Sequence, residues 1–259
     1  MIDWVKSEKS FKKYLKKYDL SNGSIKLKVR HTYGVIDLSE YISRKLNLSE
    51  EDRELAKLIA LLHDIGRFEQ IKTTGNFNDS NQMDHAKYGV KVLFEEKLVR
   101  DFIDDNKYDD IIYKAILNHN KLNIEEGLND RVLLHCKIIR DADKLDNFRV
   151  KETERLEDTF PGIYNGEAIN YESISSKVFD DFMNAKLIKL NDRKTQIDYW
   201  ICILAFVFDL NFKESLEYVK NKNYMNSLID RIECKNEDVK FKIEEMREFV
   251  NKYIEEKVS

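Results

Sequence analysis

The five histidines of this 259-residue chain all fall between positions 31 and 135, and four of them stand where helical apolar stripes begin or end. His31 leads Val35, Leu38 and Ile42 at i, i+4, i+7 and i+11, His85 leads Gly89 and Val92, and His119 closes Ile112, Ala115 and Ile116. The pair His63 and Asp64 closes the stripe of Leu55, Leu58, Ile59 and Leu62, and Asp143 ends that of Val132, Cys136 and Ile139. Residues so spaced share one helix face, the face that packs. A carboxylate there needs a partner, because an unpaired buried charge is costly. Imidazole and carboxylate without thiolate suit iron, manganese, cobalt, nickel or zinc, and helices that aim such groups into a bundle core make a metalloenzyme site. Any one of these histidines reads more simply as a satisfied core group. Six groups on five inward stripes point to a shared divalent transition-metal site.

The elements that must position them are helices. One proline, Pro161, and eight glycines leave few breakers, and apolar residues recur at helical spacing, which predicts an all-α chain. A helix is expected over about 26–46. A second opens at Ser49 with Asp52 as a capping box, carries His63 and Asp64 in its last turn and stops at Gly66. Further helices start near Asp84, carry His119 at an end, and run over about 129–148. Arg67 to Met83, with Lys72, Thr73, Thr74, Gly75, Asn76, Asn78, Asp79, Ser80 and Asn81, reads as a loop anchored by Phe77 and is a candidate substrate lid. After a polar stretch with Pro161, Gly162 and Gly166, helical patterns return at about 172–190, 194–210, 212–231 and 236–257, without a histidine. With no internal repeat or low-complexity linker, one globular unit is expected: a metal-binding helical core over 1–150 and a helical extension over 151–259 packed on it.

Composition narrows the function further. Lys plus Arg is 44 and Asp plus Glu 48, a net charge of -4 with no basic face, so nucleic-acid binding is not expected. The longest apolar run, Tyr199 to Phe208, is half the roughly 20 residues of a bilayer span and is bracketed by Asp198 and Asp209. It reads as a buried helix whose Tyr199, Trp200, Phe206 and Phe208 pack. Residues 1–16 lack a signal peptide's apolar core, so no membrane association and a cytoplasmic location are expected. Cys136, Cys202 and Cys234 form no CxxC pair and read as reduced thiols. His135 reads as a core histidine, and Asp146, three residues past Asp143, as either a wall of the same cavity or a structural hydrogen-bond partner. The amphipathic pattern over 212–257 suits either a cap on the core or the face of a homo-oligomer.

His31, the His63-Asp64 pair within Leu-Leu-His-Asp-Ile-Gly-Arg, and Asp143 within Arg-Asp-Ala-Asp-Lys-Leu-Asp resemble, in order and context, the H…HD…D signature of the HD-domain superfamily. The resemblance covers roughly residues 26–150 and implies an all-helical metal-dependent phosphohydrolase fold. It implies that His31, His63, Asp64 and Asp143 ligate one metal, and it selects Asp143 over Asp141, as the stripe does. One HD branch holds a second metal with two further histidines, which here implies His85 and His119, with Asp64 bridging. The HD-GYP enzymes are similar, but they carry an HH pair where this chain has His119-Asn120, and the GYP segment is absent, which speaks against cyclic dinucleotide cleavage.

The implied enzyme cleaves a small phosphate ester, a nucleotide or related metabolite, by in-line attack of a metal-activated hydroxide. Two ions about 3.5–4 Å apart would stabilise the attacking and leaving oxygens. Arg67, directly after the HDIG turn, and Lys144, beside Asp143, are the best-placed cations for catalysis and phosphate binding; Lys121, Lys87 and Arg149 are further candidates. The inventory of four His and two Asp also resembles the mixed-valence di-iron oxygenases of the superfamily. A non-catalytic nucleotide-sensing HD module is the third reading, against which the intact ligand set argues.

Overall fold

The computed structural model describes residues 2–77, 79, 83–160, 165 and 171–259, and every regular element among them is helical. The chain divides into two compact units, Met1–Asp146 and Asn147–Ser259.

The first unit begins with α1 (Trp4–Leu15), which sequence reading passed over; Asp3 caps it and Phe11, Tyr14 and Leu15 are buried. Next come α2 (Gly23–Lys45), α3 (Glu50–Leu62), α4 (Ile65–Thr74), α5 (His85–Val90), α6 (Val99–Phe102), α7 (Asp109–Asn118) and α8 (Asp130–Thr153), of which the residues as far as Asp146 belong to this unit. Their ends follow local chemistry. Asn22 caps α2, Ser49 caps α3 by accepting the Asp52 N–H, and Asp84 accepts two N–H groups at the start of α5. The predicted stripes are the packed faces: Val35, Leu38 and Ile42 of α2 are buried, as are Leu55, Leu58, Ile59 and Leu62 of α3 and Ile112, Ala115 and Ile116 of α7.

Two expectations need correction. Gly66 does not stop a helix, because α3 ends at Leu62 and α4 starts at Ile65, leaving only His63 and Asp64 between them. Asp64 has φ -104° and ψ 19°, the bridge region in which many active-site residues sit. The stop is Gly75, which caps α4 at φ 71°. Gly66 instead lets α4 approach α5, since a Cβ there would lie 2.2 Å from the His85 carbonyl oxygen and 2.8 Å from the Gly89 nitrogen. The loop read from Arg67 to Met83 is accordingly shorter, because α4 occupies it as far as Thr74. The apolar spacing of Phe68 and Ile71, both buried, outweighs the polar composition around them. Asn78, Ser80 and Asn81 of that loop lie outside the described residues.

The second unit holds α9 (Leu156–Thr159), α10 (Ser176–Met183), α11 (Gln196–Leu204), α12 (Lys213–Lys222), α13 (Tyr224–Asp230) and α14 (Glu237–Val258). The break read at Pro161, Gly162 and Gly166 lies outside the described residues. The run from Tyr199 to Phe208 is helical, opened by a capping box of Thr195 and Asp198, and finishes as a 3-10 segment. Trp200, Ile201, Leu204 and Val207 are buried along it. The pattern over 212–231 is divided at Asn223, whose φ of 56° ends α12. No described helix is long and apolar enough to cross a membrane.

Candidate metal centre

Helices α2, α3, α5, α7 and α8 of the first unit, with the α3–α4 junction, bring the six groups together. His31 projects from the middle of α2, His63 caps the C-terminus of α3 and Asp64 follows it. His85 is the first residue of α5, His119 caps the C-terminus of α7 and Asp143 lies within α8. All four histidines and Asp64 are buried.

The groups form two clusters joined by Asp64. Its Oδ2 lies 3.7 Å from His31 Nε2 and 3.5 Å from His63 Nε2. Its Oδ1 lies 3.3 Å from His85 Nε2 and 3.7 Å from His119 Nε2. Asp143 Oδ1 joins the first cluster, 3.0 Å from His31 Nε2 and 3.9 Å from His63 Nε2.

The outer edge of each imidazole fixes its tautomer. His63 Nδ1 is 2.7 Å from the Ala60 carbonyl oxygen and His119 Nδ1 is 2.6 Å from that of Ile116. A carbonyl oxygen only accepts, so both Nδ1 atoms carry the proton. His31 Nδ1 meets Asp146 Oδ2 at 2.7 Å, and His85 Nδ1 meets both oxygens of Asp79 at 2.8 and 2.9 Å, so carboxylates impose the same tautomer. A metal-binding histidine is oriented in this manner by the group behind it. Each ring then turns its Nε2 inward. Two of them, His31 Nε2 and His63 Nε2, are buried without a hydrogen bond. His85 Nε2 and His119 Nε2 are only 2.9 Å apart, lone pair toward lone pair. Two nitrogen ligands at about 2.1 Å from one ion stand about 3.0 Å apart at a right angle and about 3.4 Å apart at the tetrahedral angle, so the pair is close enough to share an ion. The donor set therefore fits a divalent cation in both clusters.

The electrostatics agree. Burial opposes charge on Asp64, but the Lys28 ammonium and the surrounding histidines outweigh it and hold this carboxyl well below the ordinary range. Asp143 is held low against burial by His31 and His63, and Asp79 against burial by His85 and Arg67. Burial and the Arg67 guanidinium depress His85 to about 4 despite Asp79 and Asp64, which keeps its Nε2 available. His31 is pushed up: burial and Lys28 act against this, but Asp143 and Asp146 prevail. The proton so favoured on Nε2 is the one a metal ion replaces.

The other residues singled out in the sequence have separate places. Arg67 puts Nε 3.6 Å from Asp64 Oδ1, while Nη1 donates to Gln70, the Phe77 carbonyl and Asp79. Lys144 is buried and donates to the Arg140 carbonyl at 3.4 Å. Lys121 lies at 3.3 Å from Asn118 Oδ1 and 3.4 Å from Glu125 Oε2. His135 belongs to neither cluster; its Nε2 meets Asp52 at 3.1 Å. Of the two alternatives for Asp146, the hydrogen-bond role is the one observed, and its partner is a histidine of the site.

Sequence reading missed three contributors. Lys28 Nζ is 2.6 Å from Asp64 Oδ2, and its place one turn before His31 was a signal open to the same face argument. Asp79 comes from a loop, where no periodicity marks it. Arg140, fully buried, donates Nη1 to the carbonyls of Asn118 and Lys121 and Nη2 to that of Leu122, and so fastens the turn that carries His119.

Comparison with known proteins supplies one match. The family model described as HD domain matches residues 29–147, a span containing all six groups. Searches of curated proteins and of solved structures give no match. HD domains bind divalent metals on an all-α fold, as the His/Asp clusters and helices here allow. Residues 29–147, a little under half of the chain, are thus an HD domain.

Proposed function

We propose that this protein is a metal-dependent phosphohydrolase of a small phosphate ester, a nucleotide or related metabolite, with two divalent transition-metal ions sharing Asp64. His31, His63, Asp64 and Asp143 would hold one ion, and Asp64, His85 and His119 the other. The observation that carries this reading is the set of four imidazoles whose Nδ1 atoms are spent on oxygen acceptors, so that four Nε2 atoms face two carboxylates. Bound there, the ions would lower the pKa of a water and offset the charge of phosphoryl oxygens.

The chain's own residues set the stage for that chemistry. Asp146 and Asp79 hold His31 and His85 in orientation, and the Ala60 and Ile116 carbonyls do the same for His63 and His119. Arg67 braces Asp79 through Nη1 while its buried Nε, without a hydrogen bond, faces the Asp64 side, where a phosphoryl oxygen would find a donor. Lys144, buried next to Asp143 on α8, donates to the Arg140 carbonyl.

The test is phosphate or nucleoside release from nucleotides and sugar phosphates by metal-stripped protein reconstituted with Mn²⁺ without oxygen, with Asp64→Ala as blank. Release by the wild type alone is the expected result. No release under any metal, followed by substrate-dependent oxygen consumption after iron loading, would replace this reading with the oxygenase, which the same four-His, two-Asp inventory resembles.

A further inference from the structure

We infer that Lys28 is a phosphate-binding residue of this site, paired with Asp64 and released toward substrate when a divalent ion takes that carboxylate. The inference rests on the metal-dependent phosphohydrolase reading for the ion and for the phosphate. Its structural basis is local. Lys28 lies on α2 one turn before His31, and its Nζ is 2.6 Å from Asp64 Oδ2 with the side chain only 13% exposed. That oxygen also faces His31 Nε2 at 3.7 Å and His63 Nε2 at 3.5 Å, so the ammonium sits against an atom that the first cluster would turn toward its ion.

Charge determines how Lys28 responds to the ion. Without metal, the ammonium offsets a buried carboxylate. With a dication on the same oxygen, ammonium and ion repel at short range in a poorly screened site, and the attraction that held Lys28 is largely cancelled. The flexible four-carbon stem lets Nζ move without displacing the helix. The Phe77 ring, with its centroid 5.5 Å from Nζ, offers a cation–π contact that retains the ammonium beside the site. A phosphate held at the ions then supplies the anionic oxygens that Lys28 has lost. Other cations nearby have different commitments: the Nη atoms of Arg67 are bonded to Asp79, and Lys121 to Asn118 and Glu125. Lys28 is paired directly with the carboxylate that the two clusters share, and so senses metal loading at first hand.

Titration of wild type, Lys28→Gln and Lys28→Arg with Mn²⁺ and then with inorganic phosphate, followed by calorimetry, tests this, with ester hydrolysis measured in parallel. Lys28→Gln should bind Mn²⁺ at least as tightly as wild type, since the ammonium no longer competes for Asp64, and should bind phosphate about tenfold more weakly or worse. Lys28→Arg should recover part of the phosphate affinity. Lys28→Met repeats the measurement if glutamine at this position unfolds the protein. Phosphate affinity unchanged in Lys28→Gln overturns the inference, as does loss of Mn²⁺ from that variant, which would make Lys28 only a support for Asp64. A wild type that binds no phosphate also overturns it. Weakened phosphate binding without hydrolysis of any ester would keep the role of Lys28 and remove the hydrolase reading. Hydrolysis with an unchanged KM in Lys28→Gln would do the reverse.

Discussion

The two clusters that meet at Asp64 use the same chemistry on unlike scaffolds. Each pairs one histidine backed by a carboxylate with one backed by a backbone carbonyl: His31 on Asp146 and His63 on Ala60 in the first, His85 on Asp79 and His119 on Ile116 in the second. In the first cluster, His31 and Asp143 stand inside the long helices α2 and α8, where neighbouring turns fix the side chains. In the second, both histidines stand at helix termini, and the supporting carboxylate comes from a loop that Arg67 and Gln70 hold in place. Ligand position is therefore set by helix packing on one side and by helix ends braced with buried polar bonds on the other. The second arrangement has more to lose from a single substitution, because each brace is a separate contact.

The largest effect should come from the residue the clusters share. If the protein is the two-metal phosphohydrolase proposed above, Asp64→Ala should take bound metal from two ions per chain to fewer than one and hydrolysis to background, read by elemental analysis and phosphate release. Retention of one ion would show that the clusters assemble independently. Next come two glycines, each beside one cluster. A Cβ on Gly66 would meet backbone, the His85 carbonyl oxygen at 2.2 Å, whereas one on Gly34 would meet a side chain, Asp146 Oδ1 at 2.0 Å. Backbone cannot yield as a carboxylate can. Gly66→Ala should therefore cost stability in the range of about 1–3 kcal/mol for overpacking and disturb the His85 cluster. Gly34→Ala should cost less stability but turn Asp146 away from His31. Denaturant titration with metal analysis separates them, and equal loss of both ions in both variants would argue against separable clusters.

A smaller, cleaner contrast is Asp146→Asn against Asp79→Asn. Removal of the carboxylate behind a metal-bound histidine typically lowers metal affinity about 10- to 100-fold. Each variant should weaken one ion and spare the other. Asp79→Asn should show the larger loss, because Asp79 also organises Arg67 and Gln70. Equal and confined losses would mean that loop and helix brace their histidines equally well.

The same division marks what could be read in the sequence. Helical periodicity places His31 and Asp143 because each follows from the face of a helix, it reaches His63 and Asp64 directly past the α3 stripe, and it finds the all-α architecture for the same reason. It also reaches His85 and His119, which adjoin apolar stripes. It does not reach Asp79, because a loop residue obeys no period, nor the duty of Gly66, since a glycine near a helix end looks like a stop until the opposing helix is in view. Lys28 and Asp146 are legible in principle, each one turn from a ligand candidate. Periodicity counted over apolar residues alone passes by a charged residue on the same face, and Lys28 is such a residue.

The smallest effect concerns the one histidine outside both clusters and isolates their share of the acid response. Burial outweighs the attraction of Asp52 and lowers the pKa of His135, whose Nδ1 is buried without a hydrogen bond. The unfolded chain, with an ordinary value of about 6.5, then binds the proton before the folded one does. Stability from this residue is present above about pH 6.5 and is lost as the pH falls toward the depressed folded value, at no more than about 1.4 kcal/mol per pH unit for one proton. Metal-loaded wild type and His135→Gln, unfolded by denaturant from pH 8 to pH 5, should run parallel above about 6.5 and converge or cross below it, with wild type losing more. Parallel curves throughout would mean that Asp52 fully offsets burial, leaving His135 with the same proton affinity in the fold as in the unfolded chain. The acid sensitivity left in His135→Gln then belongs chiefly to the clusters, where protons and metal ions compete for the same Nε2 atoms.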